Sequence, residues 1–312
     1  MKYRATALLV SACLAWSVSA QAQVQSQAQV RTQAQPQGQG QGQGQAQART
    51  PAPQRVVTLG GSVTEIVYAL GQGNRLVGDD LSSLYPEAAT KLPRVGYYRA
   101  TPVEGVLALK PDLVLASEQA GPPDTIKQLA SVGVRVETVS DQPSVQSLHK
   151  RIRQIAQVLG QETAGKQLVE AVDRDLQAAQ ALPATNARAL LIMNRTGTPQ
   201  GAGGGTAAGL VLRLAGLRNV LQDQQGYKPL SAEAFSALAP RVLVITSTSL
   251  EASGGLDKLR AMPGIAGTPA AACIVVMDDL LALGTGPRLP QAVRQLKETD
   301  CVARQSPQRT PA

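Results

Sequence analysis

The chain has 312 residues, 43% hydrophobic and 17% charged, enough for two globular units at about 100 to 200 residues each. Only 3% are aromatic, one histidine and three cysteines are present, and the formal charge is +8. That composition disfavours a histidine-rich metal centre and Ser-His-Asp or Cys-His catalysis, so no enzyme is expected. It does not mark a nucleic-acid surface either, because Lys2, Arg4, Arg31 and Arg49 lie near the N-terminus and no basic run alternates with aromatics.

The chain opens on basic "MKYR", continues in apolar "ATALLVSACLAWSV", too short to span a bilayer, and reaches small residues at Ala20 to Ala22. This predicts an export signal over residues 1–22 and an extracytoplasmic product. The stretch "LVSAC" also has the form of a lipobox, which would make Cys13 a lipid attachment site. The apolar run continues through Leu14, Ala15 and Trp16, which favours ordinary cleavage. Residues 23–54 form a Gln/Ala/Gly-rich tract with too little apolar surface to fold, and read as a flexible tether.

From Arg55 onward, β-branched runs such as "RVVTLGG", "DLVLASE" and "VRVETVS" alternate with helical segments, a pattern that predicts a mostly parallel sheet covered by helices in a lobe over 55–160. A second series, including "RALLIMN", "RVLVITS" and "CIVVMDD", predicts another α/β lobe over 184–312. Between them two segments carry apolar residues at helical spacing: Leu148, Ile152, Ile155 and Val158, then Leu168, Val169, Val172 and Leu176. Gly160 separates the pair and Pro183 ends it. The second segment, 161–183, predicts an inter-lobe helix of about 20 residues and about 30 Å. The expected fold class is therefore α/β, with two Rossmann-like lobes joined by a long rigid helix beside a cleft.

Most chemistry-bearing residue types in this chain have ordinary readings. His149 lies beside Lys150 and Arg151 with no acid three or four residues away, and reads as solvated or packed. The stretch "GAGGGTAAG", Gly201 to Gly209, would be the phosphate cradle of a nucleotide enzyme, but it matches neither GxxxxGK[ST] nor GxGxxG; it reads as a flexible loop capped at Thr206 beside the cleft. Asp278 and Asp279 end a strand, where one acid caps the next element. Cys273 and Cys301 lack CxxC spacing, and a single bridge and two separate buried thiols both stay open.

The stretch "RVGYYRATPVEG" is different, since it holds two of the six tyrosines. In an extended loop Tyr97 and Arg99 share a face. A tyrosine titrates near pH 10 and needs help to ionise; trivalent iron supplies that help, and a neighbouring arginine lowers the cost. Tyrosinate is an axial ligand of haem iron in some proteins. The competing reading has both tyrosines packing a loop with their hydroxyls at the surface.

The runs "RVVTLGGSVTEIVYALGQGNRLVGDD", "LPRVGYYRATPVEGVLALKPDLVLASEQAGPP", "GYKPLSAEAFSALAP", "MPGIAGTPAA" and "LALGTGPRLPQAV" resemble the haem-binding periplasmic proteins of bacterial ABC haem-uptake systems. The resemblance covers nearly all of Arg55 to Cys301, within a helical-backbone class that also carries cobalamin and ferric siderophores. It implies a periplasmic carrier, expected as a monomer, that takes haem b as Fe(III) into the cleft and delivers it to an ABC permease and ATPase. By this resemblance Tyr97 is the axial ligand, Arg99 assists it, Tyr98 is pocket wall, and Arg288 in "GPR" faces the cleft or a propionate. Glu104 and Glu233 correspond to acids that dock onto the permease. Their position also has a local rationale, since an acid in a first helical turn is stabilised by the helix dipole. Some relatives supply a histidine where this chain has Met193, Asn194 and Arg195, so iron held by Tyr97 alone is expected. The competing member of the class binds cobalamin or a ferric siderophore, with Tyr97 as a wall residue.

Overall fold

The computed structural model describes residues 52–305 apart from 195 and 196. The expected export signal, Cys13, the Gln-rich tract up to residue 51, and Arg195 lie outside the described residues.

In the first lobe β1 (Val56–Leu59), β2 (Leu76–Asp79), β3 (Leu113–Ser117) and β4 (Arg135–Val139) form a parallel sheet in the order β2-β1-β3-β4. The two central strands, VVTL and LVLAS, are buried at every residue, as strands covered on both faces must be. Helices α1 (Gly61–Ala69), α2 (Val103–Ala108) and α3 (Pro123–Ser131) make the crossovers.

Two helices follow, α4 (Val145–Leu159) and α5 (Glu162–Ala181). The Ser144 hydroxyl accepts from the Ser147 N–H to start the first, and Gly160 ends it at φ 68°. Val169, Val172, Leu176 and Ala179 form the buried stripe of the second. His149 on α4 sits 2.8 Å from the Asp173 carboxylate on α5, so the acid missing at helical spacing comes from the neighbouring helix.

The second lobe contains β5 (Arg188–Met193), β6 (Gln200–Ala202), α6 (Ala207–Leu214), β7 (Arg218–Asn219), β8 (Tyr227–Pro229) and α7 (Ala232–Leu238). It continues through β9 (Val242–Thr246), α8 (Ser247–Ala252), α9 (Leu256–Ala261), β10 (Ile274–Met277), α10 (Asp279–Leu283), α11 (Leu289–Glu298) and α12 (Asp300–Ala303). Its sheet runs β10-β9-β5-β6-β8, with β7 parallel to the start of β5. The β10, β9 and β5 strands are parallel, whereas β6 and β8 are antiparallel additions.

The expected flexible Gly-rich loop is thus largely a paired ribbon. Gly203 and Gly204 donate to the Gly226 and Gln224 carbonyls at 2.9 and 2.8 Å, and Gly226 donates back to Gly204 at 2.9 Å. The glycines pass close to the facing backbone where a side chain would clash, which is what lets this pairing form. Thr206 caps α6 as its sequence position suggests, accepting from Gly209 N–H at 2.9 Å.

One continuous apolar core passes from Val56 and Leu113 in the first lobe through Ile152 and Val172 to Leu191, Val244 and Leu296 in the second. Buried polar contacts accompany it. Arg151 on α4, fully buried, donates to Ser62 Oγ at 2.9 Å, to the Thr285 carbonyl at 2.8 Å and to the Asp141 carboxylate. Glu65 on α1 accepts from the Arg288 backbone N–H at 2.9 Å and pairs with its guanidinium at 3.3 Å.

Cys273 and Cys301 form a disulfide with Cα atoms 5.4 Å apart, tying the start of β10 to α12. It closes a loop of 28 residues, for which chain entropy predicts about 3–4 kcal/mol of stabilisation. Replacing both cysteines by serine is expected to lower the melting temperature by about 10 °C, as read by calorimetry, and adding reductant to the double variant should change nothing further.

Candidate functional site

A cavity of about 730 Å³ lies between the lobes. Its first-lobe wall is the turn between β1 and α1 (Gly60 to Ser62), the loop after β2 (Leu81, Leu84) and the tyrosine loop (Tyr97 to Arg99). The second lobe contributes Met193, the Gly205 to Ala207 corner, Tyr227 and the α10 segment with Leu280, Leu283 and Thr285. Walls are therefore strand ends and helix starts, where a doubly covered parallel sheet leaves its crevice.

The tyrosine loop reaches this wall by a route other than the expected extended strand. Tyr97 itself is extended at φ −91° and ψ 128°, but Tyr98 to Ala100 make a single 3₁₀ turn. Gly96 before it has φ 91°, and a Cβ there would stand 3.0 Å from the Pro102 ring, so this bend is reserved for glycine. Arg99 nevertheless meets both phenols, because the turn folds its side chain back over them. Its guanidinium carbon is 5.0 Å from the Tyr98 ring centre, and the two tyrosine rings meet edge to face at 5.0 Å.

Electrostatically the two tyrosines part company. Tyr97 is 40% exposed and lines the cavity. Burial pushes the Tyr98 phenol well above the usual tyrosine range, the Arg99 charge offsetting only part of that, so Tyr98 stays a neutral wall group. For Arg99 burial alone would lower its affinity for a proton, but the Tyr98 and Tyr97 oxygens outweigh that and raise it.

The remaining expected residues lie elsewhere. Arg288 does not line the cavity. Its guanidinium is held by Glu65 at 3.3 Å and Asp278 at 3.4 Å, and it stacks 3.6 Å from the centre of the Tyr85 ring. Glu104 and Glu233 are both exposed and each is the second residue of its helix, on α2 and α7. Glu233 is held below the usual carboxyl range by its own backbone N–H and the Ser231 hydroxyl. Asp278 caps α10 through the Leu281 N–H at 2.8 Å, and Asp279, a cavity residue, accepts from Thr248 N–H at 3.0 Å.

Sequence reasoning missed Asp141 and Tyr227 as cavity residues, along with the buried partners Glu65 and Arg151. Arg151 carried a signal: it falls three residues after Leu148 and four before Ile155, on the apolar face of α4.

Comparison with known proteins matches this architecture. The profile of the family described as "Periplasmic binding protein" covers residues 56–276. The solved periplasmic heme-binding protein BhuT, in complex with two hemes, is 43% identical with a TM-score of 0.73, covering 78% of this chain and 96% of that one. The ABC transporter substrate-binding lipoprotein YvrC of Bacillus subtilis is 31% identical over 258 residues, 79% of this chain and 80% of YvrC. The vitamin B12-binding protein of Photorhabdus laumondii subsp. laumondii is 27% identical over 247 residues, 78% of this chain and 87% of that protein.

Behind the tyrosine loop, Arg94 fastens the end of β2. One guanidinium nitrogen donates to Asp79 Oδ1 at 3.0 Å and to the Asp80 and Ser83 carbonyls at 2.6 and 3.1 Å. Burial raises the Asp79 carboxyl to about 7 from an ordinary 3.8; Arg94 pulls it down and Asp80 pushes it up. The folded chain thus holds a proton there that the unfolded chain gives up. The Asp79 contribution to stability is complete below about pH 4 and is lost as pH rises to about 7. Replacing Asp79 with asparagine should flatten this slope, so that denaturant titrations at about pH 5 and about pH 8 differ by on the order of a few kcal/mol less than in the wild type.

Proposed function

The chain belongs to the periplasmic binding protein family, and from that premise we propose that it captures ferric haem b in the cavity between its lobes and hands it to an ABC permease and its ATPase. The observation that carries this reading is the Tyr97 phenol, 40% exposed on the cavity wall beside the Arg99 guanidinium. Deprotonated on meeting Fe(III), the phenol becomes the axial ligand, with Arg99 stabilising the anion. Leu81, Leu84, Leu280 and Leu283 give the porphyrin faces apolar cover. Tyr98 is wall, and Tyr97 is the sole iron ligand. Arg288, engaged by Glu65, Asp278 and Tyr85, is left out of the haem contacts. The heme-bound BhuT structure supports the choice of ligand.

Carriage requires no bond-making beyond coordination, and on this reading the protein is a non-enzymatic carrier, working as a monomer in the periplasm. Glu104 and Glu233 dock onto arginines of the permease. Their matching second positions on α2 and α7, one in each lobe, support a two-point contact.

A second reading has its own support in the vitamin B12-binding relative: the cavity takes cobalamin and Tyr97 only lines it. Spectral titration with hemin and with cyanocobalamin separates the two. We expect a high-spin ferric haem spectrum and hemin affinity that falls by about a hundred-fold or more, about 3 kcal/mol, in Tyr97→Phe. Cobalamin binding that survives this change, with no hemin spectrum, would replace the haem reading. Paired Glu104→Lys and Glu233→Lys changes should leave the hemin titration intact while abolishing haem-stimulated ATPase activity of the reconstituted transporter.

A further inference from the structure

Tyr97 owes its aim to its backbone. The peptide groups on both sides are fixed: the Gly96 carbonyl accepts from Leu81 N–H at 2.8 Å, and the Tyr98 N–H donates to Asp80 Oδ2 at 3.3 Å. The Tyr97 carbonyl, in the second of those peptides, accepts from Ala100 N–H at 2.8 Å. With both flanking peptide planes held, the direction of the Tyr97 Cα–Cβ bond is set while its ring stays accessible to a ligand.

Asp80 is the hub of this arrangement. It is fully buried, and its carboxylate collects five donors: Gly60 N–H, Ser82 N–H, Tyr98 N–H and the Ser82 and Ser83 hydroxyls, at 2.9 to 3.3 Å. These donors come from the β1–α1 turn, the loop after β2 and the tyrosine loop, three segments that wall the cavity. A carboxylate only accepts, which suits a site where every neighbour donates. Hydrogen bonds to a charged acceptor are also the strong ones, and leaving a buried N–H without its acceptor is costly.

We propose that Asp80 is the positioning residue for Tyr97, setting the reach of the phenol into the cavity through the Tyr98 N–H. The inference rests on the reading of Tyr97 as iron ligand and deepens it, since it makes affinity depend on a residue that touches neither iron nor porphyrin.

The test uses the full-length protein and two variants. Asp80→Ala removes the whole acceptor set; a backbone ester at the Tyr97–Tyr98 junction removes one N–H and leaves every side chain in place, so it decides the matter even where Asp80→Ala fails to fold. Hemin affinity is measured for each change in the wild-type and Tyr97→Phe backgrounds. In ligand-free protein, ¹⁹F NMR of fluorotyrosine at position 97 is recorded alongside. We expect affinity to fall about ten- to hundred-fold in the wild-type background and hardly at all in Tyr97→Phe, with the fluorotyrosine signal shifted or broadened. An equal loss in both backgrounds would mean that Asp80 shapes the cavity and not Tyr97, and would overturn the proposal, as would an unmoved fluorine signal. A Tyr97→Phe protein that binds hemin as tightly as the wild type would instead sink the iron-ligand reading, with the fluorine spectrum still deciding whether Asp80 aims the ring.

Discussion

A guanidinium sealed from solvent fixes the relation between the lobes. Arg151 comes from α4, yet its partners are Ser62 at the start of α1, Asp141 on the cavity wall and the Thr285 carbonyl of the second lobe. Removing the Asp141 carboxylate leaves a buried cation without its counter-charge, at a cost of several kcal/mol. Glu65 repeats the device with opposite sign, a buried acid of the first lobe held by Arg288 of the second. Sliding one lobe past the other would break both sets together. Both contacts hold the facing walls of the cavity at a set separation.

Within this frame two adjacent and chemically identical side chains are given different tasks. Tyr98 is packed against Arg99 and the first-lobe core, where burial keeps its phenol protonated. Tyr97, one residue earlier, stands at the end of an extended step and keeps its oxygen within reach of the cavity. Both rings line the cavity, but the 3₁₀ turn leaves Tyr98 half-buried and Tyr97 exposed. A fully extended loop would have put them on opposite faces, without bringing Arg99 over both.

Those parts of the fold governed by burial on two faces were legible in the sequence. VVTL and LVLAS read as continuous apolar runs because no residue in them meets water, and α5 announced itself through Val169, Val172 and Leu176 at helical spacing. The β6–β8 ribbon was not legible, since glycine supplies neither strand propensity nor periodicity and the pairing is made entirely by backbone. At the site, Tyr97 stood out because tyrosine is scarce in this chain, and Arg99 by its place two residues on. Asp80 and Arg151 did not, because a charged residue suggests solvent until the structure shows what surrounds it. Arg288 shows another limit: it was expected to face the cleft, but it is engaged by Glu65, which lies 223 residues earlier, and no local spacing reveals that pairing.

That long separation has a consequence for how the chain matures. Helix α1 is among the first described elements to be made, yet its buried acid gains a counter-charge only when residue 288 arrives, and the Thr285 carbonyl that Arg151 needs comes three positions before it. A nascent polypeptide would hold an early half that cannot finish packing until almost all of its length is available. Until then Glu65 has no counter-charge, and burying it costs more than it does in the finished fold.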